Sequence, residues 1–476
     1  MTIVRAKGTF EFSPKAGEKR GHEAAAGDDG PGDERERGTE AGVEDDVSDE
    51  ELQRRRVAAY KPPDPTHWDL PDTHKKWDDE LAALIADKTP PPPPEAAGEW
   101  WRGMGEPRYM VAPMVDASEL PFRQLCRKHG ATAAYSPMFH ARLFAESAPY
   151  RAEQFSTCEA DRPLFVQFCA NDPPTLVRAA KLVEGQCDAV DLNLGCPQRI
   201  AKRGRYGAFL MEDIDLVESL VRALHKEIST PVTVKIRCFP DVRETIKYAR
   251  RLEKAGAYLV AVHGRTREQK RAAEVAADWE QIRAVKAALS VPVCANGNVR
   301  CVEDADRLMK FTGADSCMSA ESLLRNPAMF GQRREGGGES WQPPASATPA
   351  ANCADLLLEY LDEVENHPVQ MRMIKGHVHQ LLGDWLQEFT DLRDVVNGAN
   401  GAGPPTVARL RDMAVDIRER IRAAGRPYPV PRLSWRAIKR IRLEAARQAA
   451  QEAQEKEEAE VAALDARAVD PPAPGT

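Results

Sequence analysis

From Arg108 onward the chain alternates between two periodicities. Short runs rich in β-branched and aliphatic residues recur: RYMVAPMV, TAAYSPMF, LFVQFCAN, AVDLNLGCP, VTVKIRCF, YLVAVHGR, PVCANGNV and SCMSAES. Between most of them, stretches such as TLVRAAKLVEG, ETIKYARRLEKAG and DWEQIRAVKAAL place apolar residues three and four apart. A period near two reads as strand and one near 3.6 as helix. Eight strands alternating with helices over about 220 residues predict a (β/α)8 TIM barrel. An open doubly wound sheet would also alternate in this way. A dinucleotide-binding sheet, however, wants GxGxxG after its first strand, and none stands there.

The flanks have a different texture. Residues 1–100 are poor in aliphatics, rich in Gly, Glu, Asp and Arg, and close on TPPPPPEAAGEW. This composition predicts a disordered acidic extension, with Pro90–Pro94 as a stiff polyproline II spacer and a short helix around Trp77–Ile85. The barrel is expected over 106–330, followed by a Gly/Pro/Ser-rich linker over 331–350. Leu357, Leu361 and Val364, then Ile374, Val378 and Leu381, keep helical spacing and predict a small helical domain over 351–425. A basic segment, PYPVPRLSWRAIKRIRLEAARQ, and a Glu/Ala-rich helical tail complete 426–476.

Charge and cysteine usage narrow the classes. The net charge of −8 and a pI near 5.8 announce no nucleic-acid partner globally, but the basic residues are unevenly spread. No run of 18 apolar residues occurs, so no membrane span is expected. The first 30 residues lack the apolar core of a secretory signal and carry acidic residues, which a transit peptide avoids. Ten cysteines lie scattered without a CxxC pair or a Cys/His cluster. Reduced thiols in a cytoplasmic protein, with the nucleus also admitted, are expected, and no metal site.

In a (β/α)8 barrel the chemistry gathers at the C-terminal strand ends. Those ends carry Pro113 with Met114, Gln167 with Asn171, Asn193 with Cys196, Lys235 with Arg237, His263 with Arg265, Asn296 with Asn298, and Ala320 with Glu321. Each has a plain structural reading: Lys235 reaching solvent, His263 satisfied in the core, Asn296–Asn298 as a turn, Cys196 as a buried thiol. All would have to hold at once, at successive strand ends. Amides and cations facing one another, with no carboxylate pair and no H-x-H, suit an anionic, hydrogen-bonding cofactor better than a metal ion. Flavin mononucleotide (FMN) has that profile.

The motifs APMVDASELPFRQLCRKHGA, DRPLFVQFCANDP, CDAVDLNLGCPQRIAKRGRYGAFL, PVTVKIR, VHGRTREQK, ANGNV and MSAESLLRNPAMF make the chain resemble the tRNA-dihydrouridine synthases. The similarity is to their cytosolic eukaryotic branch, which modifies positions 16 and 17 of the tRNA D-loop. NLGCPQ followed by GRYGAFL is the most specific part. The resemblance implies an FMN site on Pro113, Met114, Val115, Gln167, Lys235, His263, Asn296, Gly297, Asn298, Ala320 and Glu321. It also implies a proton donor at Cys196 and a place for Asn193 near the target uracil. Most bacterial relatives have Gly-Arg where this chain has Ala320-Glu321, and Ser322 replaces a glycine common in the branch. With no cation here, the flavin phosphate is expected on backbone N–H groups of Asn296–Val299 and Ser319–Ser322, with Glu321 turned away.

The reaction so implied is reduction of uridine by NADPH or NADH through FMN. Hydride delivered to C6 leaves C5 in need of a proton, and a thiol, with an ordinary pKa of about 8.5, still carries one at neutral pH. Arg199, Lys202, Arg203 and Arg205 follow the thiol directly and suit phosphates around a nucleotide turned out of its stack. Arg265 is placed with them on the tRNA side, and Arg436 and Arg440 are expected to grip tRNA together with the helical domain. A monomer is expected. A small-molecule flavin reductase of the dihydroorotate dehydrogenase type would share the barrel without needing the basic tail. A non-catalytic tRNA-binding protein would keep the basic surface without needing Cys196.

Overall fold

All eight β-rich runs form strands of one parallel sheet, and the sheet closes on itself. The computed structural model describes residues 71, 73–87, 94–269, 275–331, 353–383, 385–425 and 429. Its strands are β1 (Tyr109–Val111), β2 (Ala133–Tyr135), β3 (Phe139–His140), β4 (Leu164–Cys169), β5 (Ala189–Leu194), β6 (Val232–Arg237), β7 (Leu259–His263), β8 (Val293–Asn296) and β9 (Ser316–Ser319). Each pairs in parallel with its neighbours, β9 returns to β1, and the β2–β4 pairing completes the ring. β2 and β3 share one place in that ring: Tyr135 pairs with Phe165 low on β4, and Phe139 with Phe168 higher up. Pro137 stands between them and has no N–H for the ladder, which accounts for the break. The (β/α)8 expectation holds.

Helices occupy the crossovers where the 3.6-residue period put them: Pro173–Lys181, Ile214–Glu227, Val242–Lys254, Trp279–Ala288 and Val302–Thr312. Side-chain caps start several of them, such as Asp172 accepting from the Thr175 N–H and Asp278 from that of Gln281. Their apolar faces and the outward strand residues form one large core. A second, smaller core fills the barrel interior with Met110, Tyr135, Phe165, Leu259 and Met318.

Two helices lie within what reads as an extension. Asp79–Ala86 buries Leu81 and Ile85, close to the expected Trp77–Ile85. Pro94–Gly103 packs Trp101 into the barrel-interior core, and Trp100 Nε1 donates to the Asp188 carbonyl at the N-terminal end of β5. That helix closes the end of the barrel opposite the strand C-termini. Pro94 is its first residue, a position where a missing N–H costs nothing, and so does not continue the polyproline spacer. Residues 1–70, Pro90–Pro93, the linker at 332–350 and the basic segment from 430 on, Arg436 and Arg440 included, lie outside the described residues.

The expected helical domain is Cys353–Asn366, Met371–Leu382, Trp385–Glu388, Thr390–Asn397 and Val407–Ala424. Leu357, Leu361, Val364, Ile374, Val378 and Leu381 are all buried, as their spacing required. The domain meets the barrel along the helix Leu120–Lys128, where Tyr360 Oη donates to Glu119 Oε1 and His377 Nε2 lies 2.8 Å from the same oxygen. Arg372 reaches Asp116 and Glu153 beside the β1 loop. No helix among the described residues is long and apolar enough to cross a membrane.

Candidate active site at the barrel mouth

Alternation along the strands sorts the site. Counting by twos from the apolar floor places Gln167 above Phe165, Asp191 and Asn193 above Ala189, His263 above Ala261 and Asn296 above Cys294. Register then sets Asn193 beside Lys235, Arg237 beside His263, and His263 beside Asn296. One face of the sheet thus changes from apolar to polar along the barrel axis.

Cys196 sits half-buried on the loop after β5, held from three sides. Asn193 Oδ1 accepts the N–H groups of Gly195 and Cys196 at 3.1 and 3.0 Å. Arg237 Nε donates to the Gly195 carbonyl at 2.9 Å, while its Nη1 binds the Thr266 and Gln269 carbonyls, tying this loop to the one after β7. From behind, the Ala208 N–H donates to the Cys196 carbonyl. Gly207 packs there with φ +64°, and a Cβ at that position would come within 2.8 Å of the Cys196 carbonyl oxygen. The GRYGAFL motif is therefore the rear support of the thiol loop.

Lys235 lies half-buried in the mouth. Its Nζ donates to Asn296 Oδ1 at 3.1 Å, and among the described residues no carboxylate lies within ion-pairing distance of it. Burial first, then the charge of Arg237, pulls its ammonium down to about 8, against an opposing pull from Asp191. An ammonium with unused donors and no ion-pair partner fits an anionic ligand edge, so the donor set suits a flavin. Asn296 donates in turn to the Met318 carbonyl, which fixes its amide.

His263 is neutral at neutral pH. Burial, followed by the charges of Lys235, Arg237 and Arg265, holds its imidazole well below the usual histidine range. Arg265 Nη1 approaches His263 Nε2 at 2.9 Å and can only donate, so the ring proton belongs on Nδ1. Arg265 also donates to the Val275 carbonyl and to Asn298 Oδ1. Arg265 is buried, and the structure places it in the wall of the site, not among the exposed cations. Asn298, at φ +60°, also accepts the Ala277 N–H. Gly297 has φ +128°, and a Cβ there would meet Ala277 Cβ at 2.4 Å. The Asn-Gly-Asn turn is thus braced by its neighbours.

Around the rim, Pro113 and Met114 are half-buried and Val115 is exposed, with Met114 fixed by Ser118 Oγ. Ala320 is half-buried and Glu321 exposed, and the Glu321 carboxylate is near enough to Arg265 to offset part of the downward pull that burial exerts on that guanidinium. Arg199, Lys202, Arg203 and Arg205 lie on the helix Arg199–Gly204 and its left-handed cap, and all four are exposed. Among the described residues none of these four has a carboxylate within 4 Å. They form an unneutralised cationic edge directly beside the thiol.

Sequence reasoning passed over two residues. Arg237 was noted only as a strand-end cation, and its three carbonyl partners belong to loops distant in sequence. Asp191 was missed. The signal was present: a carboxylate two residues from Ala189 and two from Asn193 must share their inward face. It is fully buried and bonded to Thr233 and Gln167, and burial pushes its carboxyl up to about 6.

The model of the family described as Dihydrouridine synthase (Dus) matches residues 110–413. The rat protein named tRNA-dihydrouridine(16/17) synthase [NAD(P)(+)]-like is 48% identical over 297 residues, 62% of this chain and 64% of that one. The Schizosaccharomyces pombe tRNA-dihydrouridine(16/17) synthase [NAD(P)(+)] is 44% identical over 340 residues, 68% of this chain and 82% of that one. A human tRNA-dihydrouridine(20a/20b) synthase [NAD(P)+]-like protein is 38% identical over 224 residues, 46% of this chain and 70% of that one. The chain spans a little under two thirds of the rat and mouse relatives, 64% and 59% of their lengths. With well over half of its length matched by the family model, the chain belongs to the dihydrouridine synthase family.

Proposed function

We propose that this protein reduces uridine to dihydrouridine in the tRNA D-loop, at positions 16 and 17, using FMN and NADPH or NADH. The observation that carries the reading is Cys196, a half-buried thiol on a loop fixed by Asn193, Arg237 and Gly207, at the same barrel mouth as the unpaired ammonium of Lys235. When bound, FMN supplies the hydride that uracil takes up at C6. Lys235, oriented by its bond to Asn296 Oδ1, would present its ammonium donors to the flavin edge, and neutral His263 would offer its Nδ1 proton without adding another charge to those of Lys235, Arg237 and Arg265. Cys196 holds a proton at Sγ for C5, and the bracing of its loop limits the reorganisation needed to deliver it.

Substrate class follows from the rim. Four cations within seven residues of one another, none paired, suit a polyanion larger than a free pyrimidine. A reductase of small pyrimidines has no use for them. A binding protein has none for a braced thiol. The 16/17 assignment rests on the names of the rat, mouse and yeast relatives. The test is incubation of the purified protein, FMN and NADPH with unmodified tRNA, followed by mapping of dihydrouridine at single-nucleotide resolution. Dihydrouridine at 16 and 17 is expected. Reduction of free orotate or uracil with tRNA untouched would overturn the reading.

A further inference from the structure

We propose that Asp191 is a positioning residue for Cys196: its carboxylate fixes which way the side-chain amides of Gln167 and Asn193 face, and through them the loop that carries the thiol. The inference rests on the reading of Cys196 as the proton donor. It starts from β5, where an acidic residue occupies an inward position beside Ala189 of the apolar floor. A buried carboxylate there is costly, so its bonds need an account in terms of direction.

Asp191 accepts from Thr233 Oγ1 at 2.7 Å and from Gln167 Nε2 at 2.8 Å. Burial raises its carboxyl to about 6, which leaves it ionised at neutral pH and able only to accept. Lys235 on β6, Tyr135 on β2 and Cys294 on β8 are the other titratable groups that feel it. An amide has a donor end and an acceptor end of nearly the same shape, so its partners decide its orientation. Gln167 must turn Nε2 toward Asp191, which leaves Oε1 to receive Asn193 Nδ2 at 2.8 Å. That in turn leaves Asn193 Oδ1 to receive the Gly195 and Cys196 N–H groups. The direction set at residue 191 is thus passed through two amides to the backbone of the thiol. Reversal of the Asn193 amide would set an NH2 against two N–H groups and release the loop.

The test compares holoprotein variants by two readouts. The first is the rate of Cys196 alkylation by iodoacetamide, followed by peptide mass spectrometry without tRNA. The second is the rate at which tRNA reoxidises the reduced flavin. In Asp191→Asn the introduced amide can donate to Gln167, which flips both amides along the chain. Alkylation should accelerate severalfold, and reoxidation by tRNA should slow on the order of 10²-fold. Adding Gln167→Glu returns an acceptor to the centre of the chain, facing donors on both sides: the introduced amide at position 191 and Asn193. That double variant should recover slow alkylation, the readout that does not pass through the flavin, whereas simple loss of packing would not be repaired by a second change. If Asp191→Asn fails to fold, Asn193→Ala, which removes only the last link, should give the same faster alkylation. Alkylation unchanged in the variant that folds, or a double variant no better than the single, would overturn the proposal. Wild-type protein that leaves tRNA unreduced would instead sink the proposed function, and the alkylation comparison would still stand.

Discussion

Gly207 lies against the back of Cys196, with room for hydrogen only. A Cβ there would stand 2.8 Å from the Cys196 carbonyl oxygen and 3.0 Å from its Cβ, and φ is +64°. Gly207→Ala therefore meets both a backbone clash and a left-handed conformation that side chains resist. The variant should retain FMN and be reduced by NADPH at the normal rate. Its uridine reduction should drop on the order of 10²-fold, because the clash displaces the thiol and not the flavin site. Parallel stopped-flow traces of the two half-reactions would separate these effects.

Lys235 should make flavin binding depend on pH. Its ammonium titrates near 8 in the free protein, and an anionic ligand favours the protonated form. Affinity for FMN should therefore be steady below pH 8 and fall above it, by up to about tenfold per unit. Titration calorimetry on either side of that value checks the trend, and Lys235→Met should bind more weakly at neutral pH with the slope removed.

One buried carboxylate, Glu119, lies in the seam between barrel and helical domain. Burial alone would raise the Glu119 carboxyl, but His377 and Tyr360 outweigh it and hold it below the usual range. Tyr360→Phe removes a hydrogen bond to a buried charge, which costs about 1.5–3 kcal/mol. The urea midpoint should fall accordingly. Since a depressed carboxyl pKa stabilises above the unfolded value, the difference between variant and wild type should shrink as pH drops below about 4.

The cationic edge should read out as salt dependence. Arg199→Ala with Arg203→Ala removes two unpaired charges beside the thiol. Log affinity for tRNA plotted against log salt should lose about one unit of slope for each phosphate contact removed. Flavin reduction by NADPH should not change. An identical slope would place the tRNA elsewhere.

Much of this architecture is legible in the sequence because it is written in periods. Strand and helix alternation located all eight barrel strands, and spacings of three and four located the buried Leu357, Leu361 and Ile374 of the helical domain. The strand-end rule collected Lys235, His263, Asn296 and Cys196 at one mouth. Arg265 was harder: a strand-end arginine looks like a surface cation until Asn298 and His263 are brought beside it by the neighbouring strand. Asp191 and Arg237 act through partners 24 to 42 residues away, so their roles depend on parallel register and cannot be read locally. The helix Pro94–Gly103 was hidden by its proline-rich approach, although Trp100 and Trp101 were the sign that something there is buried.

The central claim is that Cys196 serves the uridine and not the flavin. The most direct measurement is anaerobic single turnover: reduce the flavin of wild type and Cys196→Ala with NADPH, mix with unmodified tRNA, and follow flavin reoxidation. Reduction should proceed equally in both, and reoxidation by tRNA should slow by about 10²–10⁴-fold in the variant, the usual cost of a missing general acid. Equal reoxidation in the two proteins, or loss of the NADPH step in the variant, would contradict the account.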